Sequence, residues 1–376
     1  FGEARGMNRG LRSALGSTPD PRKLRTVFEP HARGSILVAA VFDAFLTIYK
    51  SRIADLLRIA SGGSGVLAAG ALHPDLVNRL AGEAARAAGH ILQMCVRALD
   101  YCPPVDITFG EYLRAMITAD RDLVPEDDRS YRLAVVEAFR RRGIYPRDVR
   151  SLSVETLLWQ EPLPESLQQE FGKLFRGLEK LRCMQPKLVH SSDREALYKA
   201  MMADAVTVHD WLKAARLEKV EAAMGITLDP QAPQSLRRKP GESAPVFEVH
   251  SVRPARRVGP DGHTRTDLVI EVTQRRRAFY DEKAQARAEK RASDAEPDFW
   301  FRGGSTLLVD PESGRVRYCI AKNILSERRL ARQRAFLGGS TPSLRATYFE
   351  FGEARKTRDA EPFALLHRGW EEEVVR

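Results

Sequence analysis

Hydrophobic and polar positions along this chain follow three regimes. The first is a long apolar run: between Gly34 and Tyr49 the one charged residue is Asp43. A surface helix would carry charge along one side, so the run predicts a buried helix over 36–60. Gly34-Ser35 opens it with Ser35 as N-cap, and "ASGGSG" at 60–65 ends it. Leu76, Leu80, Ala84, Ala87, Ala88, Ile91, Met94 and Cys95 then recur at helical spacing, bounded by Pro74 and by Pro103-Pro104. Thr108 with Glu111 three residues on predicts a capping box and a third helix. "EDDRSYRLAVVEAFRRRGIYP" predicts a fourth, with acids at its start, arginines at its end and Gly143 as its C-cap. Residues 35–147 therefore read as a helical bundle with short connections.

In the second regime helical patterns resume over 165–225, in "LQQEFGKLFRGLEKLRCM" and "DREALYKAMMADAVTVHDWLKAARLEKVEAAMG". Residues 229–245 are Pro-rich and read as a linker. The period then changes to two. "VFEVHSVRPARRV" and "TRTDLVIEVTQRR" flank "GPDGH", and "GSTLLVD" and "RVRYCIAKNI" flank "PESG". Each pattern is a hairpin signal. The charged stretch between the hairpins reads as an exposed connection, and "SERRLARQRAFLG" as a short basic helix before a loose tail. The expected class is α+β: a mainly α-helical bundle over 1–147, a helical segment over 148–228, the linker, a small antiparallel β module over 246–326, and the basic helix and tail over 327–376.

Composition narrows this little. The net charge is +10, but 60 basic residues stand against 50 acidic ones, so most charge is mixed and nucleic acid is not an expected partner. No charge-free apolar run reaches about 18 residues, so no membrane span is expected. Cys95, Cys102, Cys183 and Cys319 form no CxxC pair or Cys/His cluster. Buried, reduced thiols are expected, which tilts an otherwise unreadable location toward the cytoplasm.

Two blocks carry a family resemblance. "PHARGSILVAAVFDAF" resembles a segment of the thermolysin-like zinc peptidases, the gluzincins. There a His, two variable residues and a small Ser/Gly pair lead into a buried helix; this chain has Gly34-Ser35 where the family pattern is Ser-Gly. "TFGEYLRAMITADRDLVPEDDRSYRLAVVEAFRRRGI" resembles the end of that family's helical C-terminal domain, with Arg114, Ala115, Ala119, Ala134 and Ala138 at matching places. Together the blocks cover about residues 25–147 in family order. The resemblance implies that His31 donates a hydrogen bond to the oxyanion formed when water attacks a peptide carbonyl. It also implies a carboxylate to orient the imidazole. Glu29 is the candidate here, since Thr26 and Val27 stand near the place of the family's Asp.

The family's zinc site needs HExxH on one helix and a Glu on the next. The eight histidines are 31, 73, 90, 190, 209, 250, 263 and 367, and none lies four residues from another. Both ligand helices precede the His block in family order, and the first residue here is Phe. The expectation is thus the C-terminal part of a zinc metallopeptidase. Its zinc would be bound outside this chain, its partners would be the missing catalytic half and a peptide substrate, and it would be inactive alone.

The alternative reading is a non-enzymatic module that binds protein or nucleic acid through a basic β surface. Arg140–Arg142, Arg237–Arg238, Arg256–Arg257, Arg275–Arg277 and Arg328–Arg329 would supply the cations, and Phe299, Trp300 and Phe301 the stacking faces. Helix-end charge and a core face explain the same residues more simply. Asp267 and Glu271 on one strand faintly resemble a nuclease strand, but Val-Thr follows Glu271 where that pattern has x-Lys. "GGSG" at 62–65 is a flexible turn without phosphate-loop context, and "FGEAR" at 1–5 and 351–355 has unmatched flanks and reads as coincidence.

Overall fold

The computed structural model describes residues 17–28, 30–70, 72–159, 163–189, 192–215, 217–237, 242–258, 262, 264–291 and 295–338. In chain order its helices begin with α1 (Lys23–Thr26), α2 (Pro30–Ala60), α3 (Pro74–Ala98), α4 (Phe109–Leu123) and α5 (Tyr131–Arg141). A short α6 (Val154–Leu157) leads to α7 (Glu165–Leu174), α8 (Pro186–Val189) and α9 (Arg194–Ala214). Strands β1 (Glu248–Val258) and β2 (Thr264–Ala278) are followed by α10 (Glu282–Lys290), β3 (Phe299–Val309), β4 (Val316–Lys322) and α11 (Glu327–Leu337).

Local signals account for most of these boundaries. Thr108 and Glu111 form the reciprocal capping box at the start of α4. Asp193 caps α9 and Ser326 caps α11 through their side chains. Gly143, just past α5, has φ +73°, and a Cβ there would lie 2.2 Å from the Pro21 carbonyl oxygen. That position needs glycine on both counts.

Three expectations are revised. α2 begins at Pro30, not at Gly34-Ser35, because proline's fixed φ suits a first helical turn. Ser35 then lies inside the helix, its hydroxyl donating to the Ala32 carbonyl (2.7 Å) instead of capping. α9 stops at Ala214, and residues 218–225 are turns. The charged stretch after β2 contains α10, whose Gln285 and Ala288 are buried. The loose tail, residues 339–376, lies outside the described residues.

The four strands form one antiparallel sheet in the order β1-β2-β3-β4. It is the middle layer of the molecule. Val269, Leu308, Tyr318 and Ile320 join the core of α2–α5. Leu268, Ile270, Val272, Leu307 and Val309 point the other way, into a second core with Phe171, Val208 and Leu212 of α7 and α9. Neighbouring residues thus serve opposite cores, as the two-residue period of a strand requires. A small third core at one end of the sheet gathers Leu236, Phe299, Phe301, Ile324, Leu330 and Leu337. The stretch read as a linker is packed where it is described: Ala232, Ser235, Leu236 and Arg237 are buried, and Gln274 of β2 bonds both backbone groups of Thr227 just before it.

Candidate functional site

His31 is the second residue of α2 and is half-buried. The start of the helix is held by Arg33, whose guanidinium donates to the carbonyls of Leu24 (2.9 Å) and Val27 (2.8 Å) and so ties α1 down. At about 100° per residue, Ile36, Ala40 and Ala44 form one stripe of α2, and these are buried in the bundle core. By the same angle His31, Val38, Phe42, Phe45 and Tyr49 fall on the opposite side, although Phe45 still packs against the bundle core. Val38 is 60% exposed and the others are half-buried. Their rings form a ladder, with Phe42 and Phe45 centroids 5.6 Å apart and Phe45 stacked on Tyr49 at 6.0 Å. Gly34, beside His31, has open space where a Cβ would stand. Nothing in the packing of the described residues demands glycine there, although glycine costs a helix interior about 1 kcal/mol. Glu29 lies outside the described residues.

By length and composition α2 is apolar enough to cross a membrane, with mean hydropathy 1.5 over an 18-residue window. The core helix of a soluble protein passes the same test, but only 28% of this window is buried, and polar links tie α2 to its neighbours. Asp43 pairs with the buried Arg142 of the α5 C-terminal turn, and Arg52 pairs with Glu83 of α3 and donates to the Tyr131 hydroxyl.

The acids singled out on β2 are not brought together. They are four strand residues apart, roughly 13 Å at the usual rise, and each has its own arginines. Asp267, 1% exposed, pairs with Arg257 and Arg317, and Glu271 accepts from Arg253 (3.0 Å). Asp122 of α4 also pairs with Arg257 and Arg317 and accepts the Tyr101 hydroxyl. Burial pushes the Asp122 carboxyl up, but the two guanidinium groups outweigh it and hold the group below the usual carboxylate range. Burial, then the Asp122 charge, pushes the Tyr101 hydroxyl up. This network joins the bundle to the sheet. Lys322 of β4 adds a second joint, donating to Glu111 (3.0 Å) and to the Asp106 carbonyl. A third polar group lies inside the bundle, where His90 on α3 meets Asp120 of α4 at 2.6 Å and stacks on Tyr131.

The arginine clusters are largely consumed in the same way. Arg140 and Arg141 pair with Glu137, Arg275 with Glu248, Arg276 with Glu289 and Glu327, Arg328 with Asp148, and Arg329 with Asp106. Arg237 donates to the carbonyls of Ala232, Glu242 and Pro230. Phe299 and Phe301 are buried in the third core, leaving Trp300 half-exposed beneath Arg275.

All four cysteines are unpaired thiols, and burial above all pushes those of Cys102 and Cys319 up to about 12. Thiolate is scarce there at neutral pH, so neither is a ready nucleophile or metal ligand. Among the described residues no group of three or more His, Cys, Asp or Glu side chains is placed to hold a metal ion. These residues therefore do not fit a zinc site.

Sequence reading missed the buried ionic network and the exposed pair Glu248–Arg275. The one local hint was an acid heading an apolar strand run, Asp267 before Leu268-Val269-Ile270. Compared with family models, with curated proteins and with solved structures, the chain matches none.

Proposed function

We propose that this chain supplies the His-bearing helical part of a thermolysin-like zinc peptidase, with His31 as the hydrogen-bond donor to the oxyanion of the tetrahedral adduct. The observation that carries the reading is the placement of His31. It shares one side of α2 with Val38, Phe42 and Tyr49, away from the buried stripe, although Phe45 on that same side packs against the bundle core. A His that heads a half-open apolar face suits a wall shared with another structural unit and a substrate.

An imidazole N–H aimed where negative charge develops stabilises the transition state more than the ground state. Among the described residues no atom lies within 4 Å of where a Cβ on Gly34 would stand, one turn from His31. In this reading the metal is held by residues other than those described. The alternative of a basic nucleic-acid-binding surface draws no support from arginines engaged with the protein's own carboxylates and carbonyls.

The test begins with the coding DNA upstream of residue 1. The reading expects HExxH followed by a Glu-bearing helix there, and a longer product that binds zinc and hydrolyses peptides while the 376-residue chain alone does not. A longer product without the motif, or one that binds no zinc and cleaves no peptide, would overturn it.

A further inference from the structure

A cavity of about 220 Å³ opens where the pairing of β1 with β2 ends, at Glu248↔Thr273. Leu236, Val246 and Trp300 give it apolar lining. The polar side chains Gln274 and Arg237, which also line it, are spent on backbone carbonyls and on the Thr227 amide. They form a fixed wall: Arg237 keeps its positive charge, but each of its guanidinium nitrogens already donates to a backbone carbonyl. The charge available to a ligand is at the mouth. There Glu248 and Arg275 pair with each other while remaining 50% and 41% exposed, and the Arg275 guanidinium lies over the Trp300 ring, 5.5 Å from its centroid.

Size, charge and lining select one ligand class. At about 30 Å³ per water the cavity holds roughly seven waters. That is below the ~300 Å³ at which sites for drug-sized ligands begin, so a single small metabolite fits and an extended peptide does not. A ligand with net charge would satisfy one member of the Glu248–Arg275 pair and strand the other. A zwitterion replaces both halves of the pair, its carboxylate on Arg275 and its ammonium on Glu248. Its apolar remainder would then enter the space between Leu236, Val246 and Trp300. We propose that this cavity binds one free α-amino acid with an apolar side chain. The proposal is independent of the peptidase reading.

Isothermal titration calorimetry of the full 376-residue chain with L-leucine and L-phenylalanine tests it. The expected result is saturable binding at millimolar concentrations. Affinity should fall about tenfold or more for N-acetyl-L-leucinamide, which lacks both charges, and by a similar factor in the E248Q/R275Q double variant. Both side chains are well exposed, so the variant should fold; E248Q alone serves if its unfolding midpoint shifts. Val246→Trp, filling the cavity from its rim, should abolish binding. No saturable heat with either amino acid, equal affinity for the blocked derivative, or undiminished binding by Val246→Trp would each overturn the proposal.

Discussion

The β-sheet and helix α2 treat their unusual residues in opposite ways. The sheet takes charge inside: Arg257, Asp267 and Arg276 are nearly inaccessible, and each is matched by a partner of opposite sign. Helix α2 leaves apolar surface outside, with Val38 open to solvent and an aromatic ladder half-covered. Buried charge is tolerated only when it is paired, so the sheet's arginines act as joints between layers. Apolar surface left uncovered along a helix face has no such internal use. Charge alone would have drawn attention to the sheet. Burial moves that attention to the helix.

The largest effect should come from breaking the sheet's network. Asp267→Ala leaves Arg257 and Arg317 short of a counter-charge in a dry site and should cost about 3–5 kcal/mol in chemical denaturation. A loss under about 1 kcal/mol would mean that water reaches the network and that the arginines are not joints.

Next comes the contrast between the two faces of α2. Ala44→Leu on the buried stripe should cost about 1–3 kcal/mol by overpacking. Val38→Asn on the open face should change stability by less than about 0.5 kcal/mol. Equal costs at the two positions would erase the distinction between the faces.

Acid should act through the same joint. The Asp122 carboxyl titrates lower folded than unfolded. Its contribution is therefore present above the unfolded value of about 3.9 and is lost as pH falls through the folded value. Denaturation midpoints should hold near neutrality and drop below about pH 4, with a smaller drop in Asp122→Asn. Identical profiles for the two proteins would remove Asp122 from the joint. The smallest of these effects is kinetic: at pH 8, Cys102 should alkylate far more slowly than an exposed thiol, since burial raises its pKa to about 12.

What the sequence made legible was local. The capping box at Thr108 and Glu111, the proline limits of α3, and both hairpins appear where short-range patterns placed them. The start of α2 was misread because Gly34-Ser35 looks like a helix opening, while Pro30 is the residue with the pre-set backbone. The central place of the sheet was legible in principle. Leu268-Val269-Ile270 and Leu307-Leu308-Val309 are unbroken apolar runs, and a strand covered on both faces requires such a run. The ionic network was not legible, because Asp122 and Arg317 are 195 residues apart in sequence and meet only through tertiary packing. The placement of His31 on the open face of α2 depended on knowing which stripe the bundle buries, and that also is tertiary information.

The central claim is that His31 heads a catalytic wall and is not part of ordinary core. If the upstream DNA encodes the proposed zinc-bearing half, the most direct measurement is kcat for peptide hydrolysis by that product with His31→Ala, with zinc content determined on the same samples. The account predicts a fall in kcat of roughly 100-fold or more with zinc content unchanged. An unchanged kcat, or a loss of activity that follows loss of zinc or of folding, would contradict it.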